Sequence, residues 1–199
     1  MKQNMPMGHV NMMADTVIVN ASTEDLRAIL RNMLASKTPG LVAAFISSTQ
    51  ARLNQHQYQR PLAVFTEPDS DSDSDSDEPG PAPQLLAALR RARLLFGSGL
   101  GFASLAPLTS VVRATIGRRW DADGAVAEAL VMADADIAQA LQSCRDEVQG
   151  SETETETLAG QAALDDLALA LEASRVDVNK WCGEFPFERA LYSVRDFKL

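Results

Sequence analysis

Val126, Leu130, Ala133, Ile137, Leu141, Cys144 and Val148 follow one another at steps of four and three. That spacing lines a single face of one long α-helix and is incompatible with a strand, whose faces alternate every second residue. A helix with such a stripe needs neighbours that carry stripes of their own, and the chain supplies them. Leu26, Ile29, Leu30, Met33 and Leu34 form one. Leu41, Val42, Phe45, Ile46, Thr49 and Leu53 form a second. Leu85, Leu86, Leu89, Ala92, Leu95 and Phe96 make a third, and Leu164, Leu167, Leu171, Val178 and Trp181 a fourth. Aromatics make up only 6% of the chain, and Ala and Leu dominate its apolar share, which favours helices packed on helices over a β-sandwich. The expected fold is all-α: a helical bundle of about six or seven helices, interrupted by a disordered acidic linker.

Punctuation along the chain sets the boundaries. Ser22 with Asp25 three residues on is a capping pair. Thr38-Pro39-Gly40 closes one helix and opens the next, with Pro39 in its first turn. The glycines of FGSGLGF, residues 96–102, separate the helix starting near Gln84 from one spanning roughly 103–118. Asp121 or Asp123 is expected to cap the longest helix, which Gly150 ends, and a short last helix starts near Pro186. The expected organisation is a disordered N-terminal tail over 1–21, a helical pair over 22–60, an acidic Ser/Asp linker over 61–83, and the main bundle over 84–199 with an aromatic C-terminal lid. In that lid Phe187, Leu191 and Val194 share one side. Cys144 and Cys182 are read as free thiols, and the first residues show no continuous apolar run. Both fit an intracellular protein, cytoplasmic or nuclear.

Charge is distributed in blocks. Residues 1–66 carry +3, 67–83 carry −7, 84–120 carry +6 from six arginines with no acid, and 121–199 carry −11. Overall acidity argues against general nucleic-acid binding. The arginines are Arg90, Arg91, Arg93, Arg113, Arg118 and Arg119, followed by Trp120. Arginine with aromatic neighbours can hold phosphate or an acidic peptide, so these seven are candidate partner-binding residues. The plainer expectation is helix faces turned toward acidic neighbours.

Candidate chemistries thin out when tested against spacing. His9 and His56 lie off every apolar stripe, so no histidine triad or histidine metal site is indicated. DADGAV at 121–126 resembles a calcium loop only at its centre: the two ends of the loop would fall on Arg119 and Leu130. Asp134 and Asp136 point about 200° apart on a helix. With Asp165 and Asp166 they are expected on solvated faces. GSGLG at 97–101 follows a helix and lacks the Gly-Lys-Ser/Thr ending of a phosphate loop. Leu94–Val112 is nineteen residues without a charge, long enough to suggest a membrane span, but its serines, threonine and proline and the glycine cluster favour a hinge between soluble helices. The methionines of the first thirteen residues could bind Cu(I) by ligand type alone. No catalytic residue, metal ligand or cofactor is assigned.

The segment PDSDSDSDSDEPGPAP, residues 68–83, cannot bury enough apolar surface to offset the entropy of ordering it. Its plainest role is an extended, solvated spacer. Ser70, Ser72 and Ser74 each have an acid three residues downstream, and Ser76 has acids at one and two. This resembles the preferred site of acidophilic Ser/Thr kinases, and four phosphates would roughly double the local negative charge. Just upstream, Leu62-Ala63-Val64-Phe65 before a run of acids resembles a SUMO-interacting motif, in which Leu62, Val64 and Phe65 would add to a sheet edge. The expected function is a non-catalytic interaction or regulatory protein with a protein partner and a phosphorylatable acidic linker. Two alternatives stand beside it: a small-ligand binder or cofactor-independent enzyme using the bundle interior, with Arg113, Arg118 and Trp120 as candidates, and a membrane-associated helical protein.

Overall fold

A computed structural model describes residues 12–55, 83–150 and 154–198. The described residues form eight α-helices: α1 Met12–Asn20, α2 Thr23–Ala35, α3 Leu41–Gln55, α4 Pro83–Gly97, α5 Gly101–Ala114, α6 Ala125–Gly150, α7 Glu154–Lys180 and α8 Glu188–Arg195. The all-α expectation holds. α1 is the addition: it occupies part of the stretch expected as an unstructured tail, and it carries no capping pair or three-four stripe by which the sequence could have marked it. α7 exceeds α6 by one residue, because it starts inside the ETETET patch.

The chain divides into two compact units, Met1–Ser47 and Ser48–Leu199. In the first, Ser22 accepts a hydrogen bond from Asp25 N at 3.0 Å and donates to the Asp25 carboxylate at 2.6 Å, as the capping pair predicts. α2 stops where Lys37 turns left-handed, and α3 starts after Gly40 at φ +76°. No residue from Asp15 to Ser47 is buried.

The second unit holds the core, and α5 is its centre, packed against α4, α6 and α7. Leu105, Leu108, Val111 and Val112 are buried together with Ser104 and Thr109, so α5 is enclosed nearly all round. This explains the charge-free run: it belongs to the interior helix of a bundle. Among the described residues no helix is long and apolar enough to cross a membrane.

The glycine cluster makes the turn between α4 and α5. Leu100 N donates to Leu95 O at 3.0 Å and Gly99 N to Phe96 O at 3.1 Å, closing α4 with Gly99 left-handed at φ +81°. Gly101 then meets the backbone of α6, where a Cβ would lie 2.4 Å from Cys144 N and 2.6 Å from Ser143 C. Around it α6 serves both helix ends. Ser143 Oγ donates to Phe96 O at 3.0 Å, and Glu147 accepts from Phe102 N at 3.0 Å.

α7 runs parallel to α5, and the pairings advance along both. The Phe102 ring lies on Gly160, Arg113 bonds Asp166, Thr115 and Ser174 share a buried hydroxyl bond of 2.8 Å, and Gly117 N donates to Asp177 at 2.6 Å. The aromatic C-terminal segment closes against the core. α8 packs on α6 and α7, Phe187, Ala190, Leu191 and Val194 are buried, and the rings of Phe185 and Phe187 meet edge to face.

Gly101→Ala should destabilise the chain by about 1–3 kcal/mol, since only a shift of α5 against α6 makes room for the methyl. Gly97→Ala, with nothing within 4 Å of its added carbon, should be neutral or stabilising by up to ~1 kcal/mol. Urea denaturation of both variants checks this, and equal effects would contradict the close approach.

Candidate functional site

Leu62, Val64, Phe65 and the four candidate phosphorylation sites, Ser70, Ser72, Ser74 and Ser76, lie outside the described residues. The arginines and Trp120 lie within them, and the structure distributes them over separate faces. Arg93, on the exposed side of α4, places Nε 2.9 Å from both carboxylate oxygens of Asp136 on α6. Arg113 at the end of α5 is paired with Asp166 on α7. Arg90 turns its Nε back to Leu86 O of its own helix at 3.2 Å, and Arg119 adds, after the Gly117 N–H and Lys180, to what lowers the Asp177 pKa. Arg91 and Arg118 are half-buried. Trp120 meets Trp181 edge to face, ring centres 5.3 Å apart. Arg93 and Arg113 thus follow the plainer expectation for this block, as helix-to-helix ties.

Two carboxylates expected on solvated faces are buried instead. Asp134 and Asp136 are 9% and 8% exposed. The divergence of residues two apart on a helix, which rules out a shared site, sends each to a different neighbour. Asp136 reaches α4 through Arg93. Asp134 reaches α8, accepting from Ala190 N at 2.7 Å with Arg189 Nε at 4.0 Å. A carboxylate there satisfies one open N–H of the first turn and faces the positive end of the helix. The sequence marks neither residue as interior, because each lies beside the apolar stripe and its partner is distant in the chain.

The titrating groups follow their surroundings. Burial pushes the Asp134 carboxyl above the usual carboxylate range, against the opposing effect of the Ala190 N–H. Cys144, buried in the core, is pushed up to about 12 by desolvation and then by Glu147, so its thiol stays protonated and unreactive at neutral pH. The Arg195 guanidinium holds Glu172 low, and the Gly117 N–H holds Asp177 low. Each of these groups works in the scaffold. Among the described residues no three His, Cys, Asp or Glu side chains come together as a metal site.

One open groove of about 520 Å³ lies beside the α4–α5 turn. Phe96, Gly97 and Gly99 form one wall, and Gln139, Gln142, Ser143, Asp146 and Glu147 on α6 the other. Gln50 of α3 donates to Ser98 O at 2.6 Å beside it. The wall combines an aromatic ring, amide groups and carboxylates next to the C-terminal, partly negative end of α4. Such a lining suits a small polar molecule bearing an amine. Arg113, Arg118 and Trp120, the candidates for a ligand site in the interior, do not line it. Sequence reasoning missed this groove: its α6 residues are the polar positions outside the three-four stripe, visible only once α4 is known to end against them.

No family model matches this chain, and neither the curated proteins nor the solved structures include one similar to it.

The Asp134 carboxyl titrates higher folded than unfolded, so the native state binds the extra proton. Its contribution therefore makes stability fall as pH rises from the ordinary carboxylate value through the raised one. Asp177 acts in the opposite sense: it stabilises above the unfolded value, and that stabilisation is lost as pH falls through its lowered one. Asp134→Asn, which keeps an oxygen for Ala190 N, should abolish the Asp134 component, so stability at neutral pH relative to acid rises. Asp134→Ala should cost about 1–2 kcal/mol through loss of the cap. Denaturation midpoints measured across the acid range test both, and an unchanged pH profile for Asp134→Asn would contradict the assignment.

Proposed function

We propose that this chain is a non-catalytic interaction or regulatory protein. In this reading a packed helical core carries an acidic arm whose serines accept phosphate and whose charge recruits a protein partner. The observation that carries it is the Ser/Asp run, 68–83, whose alternating serines stand in acidic surroundings directly before the first turn of α4 at Pro83. An arm attached there stays tethered to a rigid helix at one end. Phosphorylation roughly doubles its charge and adds acceptor oxygens that favour an arginine-rich partner surface. Because Arg93 and Arg113 are already paired with acids of neighbouring helices, the arm's partner is better sought on another protein than on the arginine block of its own chain. The SUMO-type reading of Leu62, Val64 and Phe65 belongs to the same class: a short apolar strand with an acidic flank engages a sheet edge and lysines.

A second reading rests on the groove beside the α4–α5 turn, whose lining would hold a small amine-bearing ligand. Native mass spectrometry of the purified chain separates the two: a retained mass that disappears in Gln142→Arg supports the ligand reading, and a bare chain mass counts against it.

The test of the main proposal is native affinity capture with mass spectrometry. Wild type is compared with a chain whose residues 68–82 are replaced by a neutral Gly/Asn segment, leaving Pro83 in place. Partners captured by wild type should be lost from the neutral-arm chain and strengthened after treatment with an acidophilic Ser/Thr kinase. An unchanged set of partners would make the arm a spacer and overturn the proposal.

A further inference from the structure

Three costly features meet at the bend between α7 and α8. Cys182 sits in the left-handed region at φ +57°, a conformation that costs a residue with a side chain more than it costs glycine. The glycine stands one place later. Gly183 lies so near the Trp181 ring that a Cβ on it would be 2.1 Å from Trp181 Cη2. Both are held there by the end of α7, where Trp181 N and Gly183 N each donate to Val178 O at 3.2 Å. The third feature is the Trp181 Nε1–H, buried with no hydrogen-bond partner, a state that folded chains rarely tolerate. Straightening residues 181–184 relieves all three.

Past the bend the chain has the form of a docked peptide. Phe187, Leu191 and Val194, at i, i+4 and i+7, are buried where α8 packs on α6 and α7, the anchor pattern of an amphipathic helix lying in a groove. Polar ties flank these anchors. Ala190 N donates to Asp134 of α6 at 2.7 Å, Arg195 pairs with Glu172 of α7, and Arg145 of α6 lies over the Phe197 ring at 5.2 Å. A helix of eight residues does not hold together undocked.

We infer that residues 185–197 exchange between two copies of this chain, each copy's α8 seated in the other's α6–α7 groove. The fit identifies the occupant. α8 already matches this groove in apolar anchors and in charge, and a second copy brings the same α8 and the same groove. The closed chain and the exchanged pair share the contacts of α8 and differ at the hinge. Exchange releases Cys182 and Gly183 from their strained positions and opens Trp181 Nε1 to water, and a short hinge under strain is the condition that favours swapping. The four residues 181–184 span roughly 13–14 Å when extended, more than the ~10–12 Å width of a helix, so α8 can clear its own groove. The crossing is reciprocal and closes at two copies. It places two acidic arms on one particle, which would make the proposed arm bivalent, but the inference does not rest on that arm.

The test uses the full chain in reductant at about 0.15 M salt, where repulsion between the acidic copies is screened beyond ~8 Å. In sedimentation velocity, one chain mass should pass toward two as concentration rises through the micromolar range. Cys182→Gly removes the left-handed cost from the closed chain and should weaken the pair by at least about tenfold, since each pair contains two hinges. Exchange itself is read by mixing Glu172→Arg with Arg195→Glu. Alone, each variant sets like charges together wherever α8 docks. Only the crossed pair of one with the other restores both opposite-charge contacts. Native mass spectrometry of the incubated mixture should find the ratio of mixed to like pairs raised on the order of tenfold above its statistical value. A wild type that stays at one chain mass at the highest concentration overturns the inference, and so does a statistical mixture. A pair seen only without reductant overturns it in favour of a Cys182 disulfide. Cys182→Gly pairing as tightly as wild type overturns it as well, and that result stands even if a charge variant fails to fold. The acidic arm is intact in every variant, so these outcomes are independent of those of the capture experiment.

Discussion

The core depends on a contact between two backbones. At Gly101 the start of α5 lies against α6 so closely that no side chain fits between them, and the polar groups freed by the α4–α5 turn are met from α6 itself. Ser143 takes up a carbonyl of α4 and Glu147 an N–H of α5. A turn buried against a helix would otherwise leave those groups unsatisfied, at a cost of about 1–3 kcal/mol each. With the turn fixed, α5 is held at the centre of the unit, α4 is placed so that Arg93 reaches Asp136, and α7 can follow α5 through a ladder of polar pairs. One further group on α6, Asp134, sets the position of α8. A single helix therefore organises three others, using its apolar stripe for packing and the residues flanking that stripe for helix ends.

Much of this architecture is legible in sequence because it rests on local periodicity. The stripe from Val126 to Val148, the Ser22 cap, the breaks at Thr38–Gly40 and Gly97–Leu100 and the aromatic lid all report on neighbours within a few residues. What escapes is set by residues distant in the chain. Asp134 and Asp136 look like surface acids until α8 and α4 arrive beside them. Glu147 looks like a helix-face acid until Phe102 N points at it. α1 escapes for a different reason: a short apolar run, Val17–Val19, lacks both a cap and a stripe. Among the glycines between α4 and α5, Gly101 makes a close approach to α6 that its neighbours in sequence do not announce.

The two units use the same apolar residue types to different ends. From α4 to α8, stripes face one another and close a core, and Arg93, Arg113, Asp134 and Asp136 tie one helix to another. The stripes of α2 and α3 hold no buried residue, and the charge of residues 1–47 is +1. Function is proposed at the acidic Ser/Asp arm, for a partner, while the buried carboxylates and the Cys144 thiol belong to the structure.

The most direct test of this account is native-state hydrogen exchange of the full chain. The account predicts that amides of α5, α6 and α7 are the slowest to exchange and that those of α2, where no residue is buried, exchange quickly. Protection of α2 equal to that of α5 would contradict it.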